Sequence, residues 1–231
     1  MEELQKINVI YEDNHLLVVE KPINIPVCED ESHDMDFLTI LKKYIKNKYD
    51  KPGNVYLGLV HRLDRPVGGI MVFAKTSKAA SRLSEQVRNK TFQKKYLTIV
   101  NGKMEENNTQ LVDYLWKNPK TNTSYVVSKN KKMAKEAILD YEVLKYDEDL
   151  NLSVLKVNLQ TGRHHQIRVQ LSSRNHSIYG DQKYGGRGHG KQICLWAYEL
   201  RLKHPVSKED LTFKDLPEKI GSWKIIEDVN I

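Results

Sequence analysis

The chain is 231 residues long, carries a formal net charge of +7, and is 39% hydrophobic and 29% charged. That balance excludes a disordered chain, and no apolar stretch reaches the ~20 residues a membrane-spanning helix needs. Cys28 and Cys194 are the whole cysteine complement, too few for a zinc site of their own, and the opening residues lack a signal-peptide pattern, so a cytoplasmic protein with free thiols is expected.

The first element is a hairpin from Asn8 to Glu20, with Val9–Tyr11 and Leu16–Val19 as strands and Asp13-Asn14 as the turn. Lys21-Pro22 ends its second strand. From Met35 to Tyr49 the apolar positions Phe37, Leu38, Leu41, Tyr44 and Ile45 recur at helical spacing, with lysines on the other face. Pro52-Gly53 breaks that pattern, and Val55–Val60 reads as a central strand. Gly69–Lys75 follows as another buried strand, and Thr76 or Ser77 caps a helix that runs to about Asn89 with Ala79, Ala80, Leu83 and Val87 inside. Lys95–Val100 is a strand, and Glu136–Val143 with Leu152–Val157 forms a long antiparallel hairpin turning at Asp147-Glu148-Asp149. Thr161-Gly162 closes it. A short helix over His164–Ser172, a glycine-rich loop over Gly180–Gly190 and a late strand over Ile193–Leu202 complete the chain. Strands with a few intervening helices give an α+β fold, a mixed and mostly antiparallel sheet with flanking helices, in one domain spanning 1–231.

The basic charge is grouped. Lys42, Lys43, Lys46, Lys48 and Lys51 form one cluster, Arg82, Arg88, Lys90, Lys94 and Lys95 a second, and Lys129, Lys131, Lys132 and Lys135 a third. Each alone reads as a solvated face. Three around one candidate site favour a phosphate-backbone footprint.

That candidate site is His61-Arg62-Leu63-Asp64, in the connection between the Val55–Val60 and Gly69–Lys75 strands. Taken alone, Asp64 is either a surface carboxylate paired with Arg62 or Arg65 or a functional group carried on a rigid sheet. His164-His165 invites a metal reading, but adjacent side chains on a helix point about 100° apart, and no third ligand stands at suitable spacing. Gly185–Gly190 lacks the Lys-Ser/Thr ending of a phosphate loop and any following helix, and is expected instead to be a mobile contact loop.

The segment His61–Thr76 resembles the active-site motif of the RluA-type pseudouridine synthases. Lys94–Val100 is similar to the family's tyrosine motif and Thr161–Leu171 to its arginine motif. Ile178–Gly185, Leu195–Tyr198 and His204-Pro205 continue the pattern in order, and the hairpin with Val18–Pro22 resembles the start of the catalytic domain. The resemblance implies isomerisation of uridine to pseudouridine in ribosomal or transfer RNA, without a cofactor or metal, by a catalytic domain expected to be a monomer. It places Asp64 as the catalytic carboxylate, as nucleophile at C1′ or base at C2′. Arg168 pairs with that carboxylate and keeps it ionised, and Tyr96 stacks on the target base and is a candidate for proton transfer at C5. Arg62 handles the displaced nucleotide or its phosphate, His61 orients the loop from within the substrate-binding motif, and Leu195 lines the uracil pocket.

Two departures bear on the substrate. With the hairpin starting at Asn8, the small RNA-binding domain that many members carry ahead of the catalytic part is not expected, and recognition is expected to come from the catalytic domain itself. Arg65-Pro66-Val67-Gly68-Gly69 replaces the commoner Lys-Asp-Thr-Ser-Gly continuation. Outside the resemblance, the alternatives are an RNA-binding or RNA-folding protein without catalysis and a glycosidase-like hydrolase. The second is disfavoured because such hydrolases need a pair of carboxylates.

Overall fold

A computed structural model describes residues 7–185 and 192–231. The chain folds as two compact units, Met1–Gln93 with Ala197–Leu216, and Lys94–Trp196 with Pro217–Ile231.

In the first unit the strand order is β1 (Val9–Glu12), β2 (Leu16–Lys21), β4 (Gly68–Ala74) and β10 (Leu195–Lys203), a strand whose first two residues belong to the second unit. Strand β3 (Gly58–Leu59) pairs with β4, and β11 (Asp210–Lys214) with β10. The β1–β2 turn forms because the Asp13 carboxylate accepts from the amides of His15 and Leu16 at 2.7 and 2.6 Å, an Asx-type closure. Helix α1 (Phe37–Lys48) starts at Asp36, which accepts from the Thr39 amide, and α2 (Ser77–Arg88) starts at Thr76, which accepts from the Ala79 amide. Because side chains alternate across a strand, Leu16, Val18, Ile70 and Val72 pack with Ala79 and Leu83 of α2. On the other face Phe73 meets Phe37 of α1 edge to face at 6.0 Å. Gly69, at φ 115°, lets β4 pass β10, since a Cβ there would stand 2.3 Å from the Ala197 carbonyl oxygen.

In the second unit the order is β5 (Gln93–Asn101), β9 (Leu152–Leu159), β8 (Lys135–Asp147), β6 (Asn108–Asn118) and β7 (Thr123–Val127), paired antiparallel throughout. Helix α3 (Gln166–Ser172) lies on one face, where Val169 packs with Leu115 and Ala137. The opposite face is covered by the C-terminal 3-10 turn at Gly221–Ile226, which places Ile225 and Ile226 against Ile99, Val154 and Cys194.

The α+β class agrees with the sequence reading, as do both hairpins and all three helices. Four elements differ. Of Val55–Val60 only Gly58–Leu59 pairs, because Tyr56 is half exposed and the segment before it runs outside the ladder. Strands β6 and β7, which the sequence reading passed over, extend the β8–β9 hairpin, and β11 adds a strand after His204-Pro205. Residues 186–190 of the glycine-rich loop lie outside the described residues.

Candidate active site

Asp64 sits in the connection between β3 and β4, and the alternation around it explains its presentation. Leu63 is buried in the core, Arg62 is exposed and Asp64 is half-buried. A buried leucine between two charged neighbours turns both of those outward and fixes the backbone between them. The Val67 amide donates to the Asp64 carbonyl at 3.0 Å and closes a turn over Arg65-Pro66. His61 is buried, and its Nε2 accepts from the Val72 amide at 3.1 Å while its ring tilts against Phe92 at 5.3 Å. That nitrogen holds the loop to strand β4. The His61 ring therefore serves the position of the motif, and Arg62 is the member that faces solvent.

A residue that the sequence reading treated only as a strand end supports the same loop. Lys21 is fully buried, and its ammonium donates to the carbonyls of Pro22, Arg65 and Val67 at 2.8, 3.1 and 2.8 Å. Burial pushes its pKa down to about 7, the Asp64 carboxylate opposes that shift, and the Arg65 guanidinium adds to it. The signal for it was the alternation that puts Lys21 on the same face of β2 as the buried Leu17 and Val19. Arg65 does not pair with Asp64 in this unit's hydrogen-bond pattern but reaches the 24–34 segment. It donates to the Asn24 carbonyl at 3.2 Å and the Ser32 hydroxyl at 2.8 Å, and pairs with Asp34 and, at 3.6 Å, with Asp30.

The remaining candidates lie in the second unit. Tyr96 is buried on β5 opposite Val157 of β9, which in turn pairs with Tyr141 of β8. Leu195 is buried at the start of β10. Arg168 is buried on α3 and forms a bidentate pair with Asp181, Nε to Oδ2 at 2.8 Å and Nη2 to Oδ1 at 2.7 Å. Burial pushes the Asp181 carboxyl up, but Arg168 and the amides of Lys183 and Tyr184 outweigh it and hold the group below the usual carboxylate range. One edge of the guanidinium is thus committed to Asp181, a residue of the Ile178–Gly185 segment whose role the sequence alone does not reveal.

The Tyr184 ring lies beneath Arg168, with its centroid 5.2 Å from the guanidinium carbon. The Tyr184 hydroxyl accepts from the Ser124 amide at 2.8 Å and bonds His165 Nδ1 at 2.8 Å, and Ser124 Oγ bonds His164 Nδ1 at 2.9 Å. The two imidazoles stack at 3.7 Å, which a left-handed His165 at φ 54° permits. Gln166 locks the preceding turn, accepting from Thr161 Oγ1 at 2.8 Å and the Arg163 amide at 3.0 Å while donating to the Ile138 carbonyl at 3.1 Å. Both histidines are thereby built into the mount of α3, and among the described residues no group of His, Cys, Asp and Glu is arranged to hold a metal ion.

The model of the RNA pseudouridylate synthase family matches residues 15–173. An uncharacterized RNA pseudouridine synthase of Aquifex aeolicus is 33% identical over 232 positions, covering 94% of this chain and 72% of that protein. The dual-specificity RNA pseudouridine synthase RluA of Haemophilus influenzae is 31% identical, covering 90% of this chain and 91% of its own length. Among solved structures, human RNA pseudouridylate synthase domain containing 4 matches with a TM-score of 0.77 at 22% identity over 94% of this chain and 91% of that one, a likeness of fold.

Proposed function

The chain belongs to the RNA pseudouridylate synthase family, and on that premise we propose that it converts specific uridines of structured ribosomal or transfer RNA to pseudouridine, with Asp64 as the catalytic carboxylate. The observation that carries this reading is the presentation of Asp64, half-buried beside the buried Leu63 on a loop whose Arg65 and Val67 carbonyls are bound by Lys21. Residues 1–231 serve as one catalytic domain.

The reaction breaks the N1–C1′ bond and forms C5–C1′ on the same uracil. Electrons of the glycosidic bond leave with the base. Asp64 then either bonds to C1′ or takes the C2′ proton, and it is released or returns that proton when C5 attacks. The C5 proton departs and N1 gains one, so the product is an isomer of the substrate and no co-reactant is consumed. Tyr96 offers the flat platform for the detached uracil, Arg168 keeps the catalytic carboxylate charged, Arg62 handles the nucleotide turned out of the RNA, His61 holds the loop and Leu195 lines the base pocket.

The test uses RNA from a strain lacking this gene. Carbodiimide treatment followed by reverse transcription is expected to show new stops after incubation with the wild-type protein. Asp64→Asn is expected to lower their formation by at least about 10³-fold while RNA binding is kept. Product at the wild-type rate from Asp64→Asn overturns the assignment. Full rescue of a deletion phenotype by that variant would favour an RNA-binding role without catalysis.

A further inference from the structure

One half-buried cation of the second unit has no counterpart in the fold. Along β5 side chains alternate, so Lys94, Tyr96 and Thr98 face the side that carries α3 and Lys95 faces the other. Lys94 is partly covered, and its ammonium points at Gly162, in the turn that leads to α3. A Cβ built on Gly162 would come within 3.3 Å of Lys94 Nζ. Gly162 does not have the left-handed backbone that demands glycine. What the missing side chain supplies is space around the amine. Gly162 and Arg163 are themselves exposed, so this space opens to solvent.

The other covered lysines are satisfied. Lys21 has three carbonyls, and Lys75 has the Glu12 carboxylate at 2.8 Å together with the Asp13 carbonyl. Lys94 has neither a hydrogen bond nor an ion pair among the described residues, and burial alone pushes its pKa below the ordinary lysine value. A charge partly removed from water without a partner is a standing free-energy cost, and it is relieved when an anion arrives.

We propose that Lys94 binds a backbone phosphate of the substrate RNA, in the gap that Gly162 leaves open. The position fits the ligand. Lys94 and Tyr96 are two residues apart on one strand face, about 6.6 Å along the strand, so a base stacked on Tyr96 brings a phosphate of its own or the adjoining nucleotide into reach. Phosphate is the anion that every nucleotide carries, so the contact adds affinity without reading sequence. This inference rests on the reading of the chain as an RNA-modifying enzyme.

The experiment compares Lys94→Met and Lys94→Arg, both in an Asp64→Asn background for binding and in the wild-type background for turnover. Lys94→Met is expected to weaken binding about tenfold for RNAs of different sequence and to reduce the slope of log K against log salt by roughly 0.7–0.9, the share of one phosphate. Lys94→Arg is expected to restore the slope. In turnover the loss is expected in KM, with kcat changed much less. Thermal melting without RNA gives the control, because removal of a partnerless ammonium leaves Tm equal or raised. A lowered Tm for Lys94→Met, or wild-type affinity and slope, overturns the proposal. The two readings fail separately. Pseudouridine formation by wild type with an unaffected Lys94→Met removes only the phosphate contact, whereas Lys94-dependent binding without product removes only the proposed reaction.

Discussion

Two buried cations, one in each unit, are held in opposite ways. Lys21 lies in a cage of three neutral carbonyls, and Arg168 is clamped by the carboxylate of Asp181. The cage satisfies hydrogen bonds but adds no opposite charge of its own, and burial pushes the Lys21 pKa down to about 7 against the opposing pull of the Asp64 carboxylate. The clamp compensates charge as well, and Asp181 is held ionised. A cage therefore fixes a loop backbone, while a clamp fixes a charge. The first suits the Asp64 connection, where geometry must be set. The second suits an arginine for which an electrostatic task is proposed.

The contrast breaks most visibly at the clamp. Arg168→Met leaves Asp181 buried without its partner and is expected to destabilise the protein by about 3–5 kcal/mol in denaturant titration. Adding Asp181→Asn in the same chain should recover part of that loss, because no unpaired charge is then left in the interior. If the single variant is as stable as wild type, the clamp is not the anchor of α3.

At the cage the expected effect is smaller and depends on pH. Lys21→Met removes the donor from three carbonyls and should destabilise by about 1–3 kcal/mol. The folded pKa of Lys21 lies near 7 against 10.5 unfolded, so the unfolded chain binds the extra proton between those values. Wild-type stability should therefore rise relative to Lys21→Met as pH goes from 7 towards 10, and level off below 7 where both states are protonated. Melting curves of the pair across that range check the sign. A constant difference would mean that Lys21 titrates as an ordinary lysine.

The finest separation comes from Tyr184. Tyr184→Phe keeps a ring beneath Arg168 but loses the bonds to Ser124 and His165, for an expected loss of about 1 kcal/mol. Tyr184→Leu should remove a further ~0.5–2 kcal/mol if the guanidinium depends on the ring face. Equal losses in the two variants would assign the whole effect to the hydroxyl.

How much of this was legible follows from the range of the interactions. The β1–β2 turn and both long helices announce themselves because their determinants are local, Asp13 at the turn, Asp36 and Thr76 at the caps. Strand β6 is silent because only Leu111 and Leu115 of its buried face are apolar, a spacing of four that does not alternate, and Asp113 between them is used to bind Arg174. The Asp64 motif and the Arg168 helix could be marked from their own residues. The identity of the clamp could not, since Asp181 is brought to Arg168 by a turn at Gly180, φ 79°, where a Cβ would collide with the Gln192 carbonyl. Lys21 was hidden for a similar reason. A lysine at a strand end normally reaches solvent, and only the folded loop supplies the carbonyls that retain it.

The burial pattern across Arg62, Leu63 and Asp64 also limits how this segment can change. Substitutions that keep an apolar residue at 63 preserve which neighbours face outward, whatever their chemistry. A single-residue insertion or deletion between Val60 and Val67 would exchange the inward and outward positions, burying a charge and exposing a leucine at once. The loop can therefore drift in composition, as Arg65-Pro66-Val67 illustrates, while its length is held fixed by the register of one side chain.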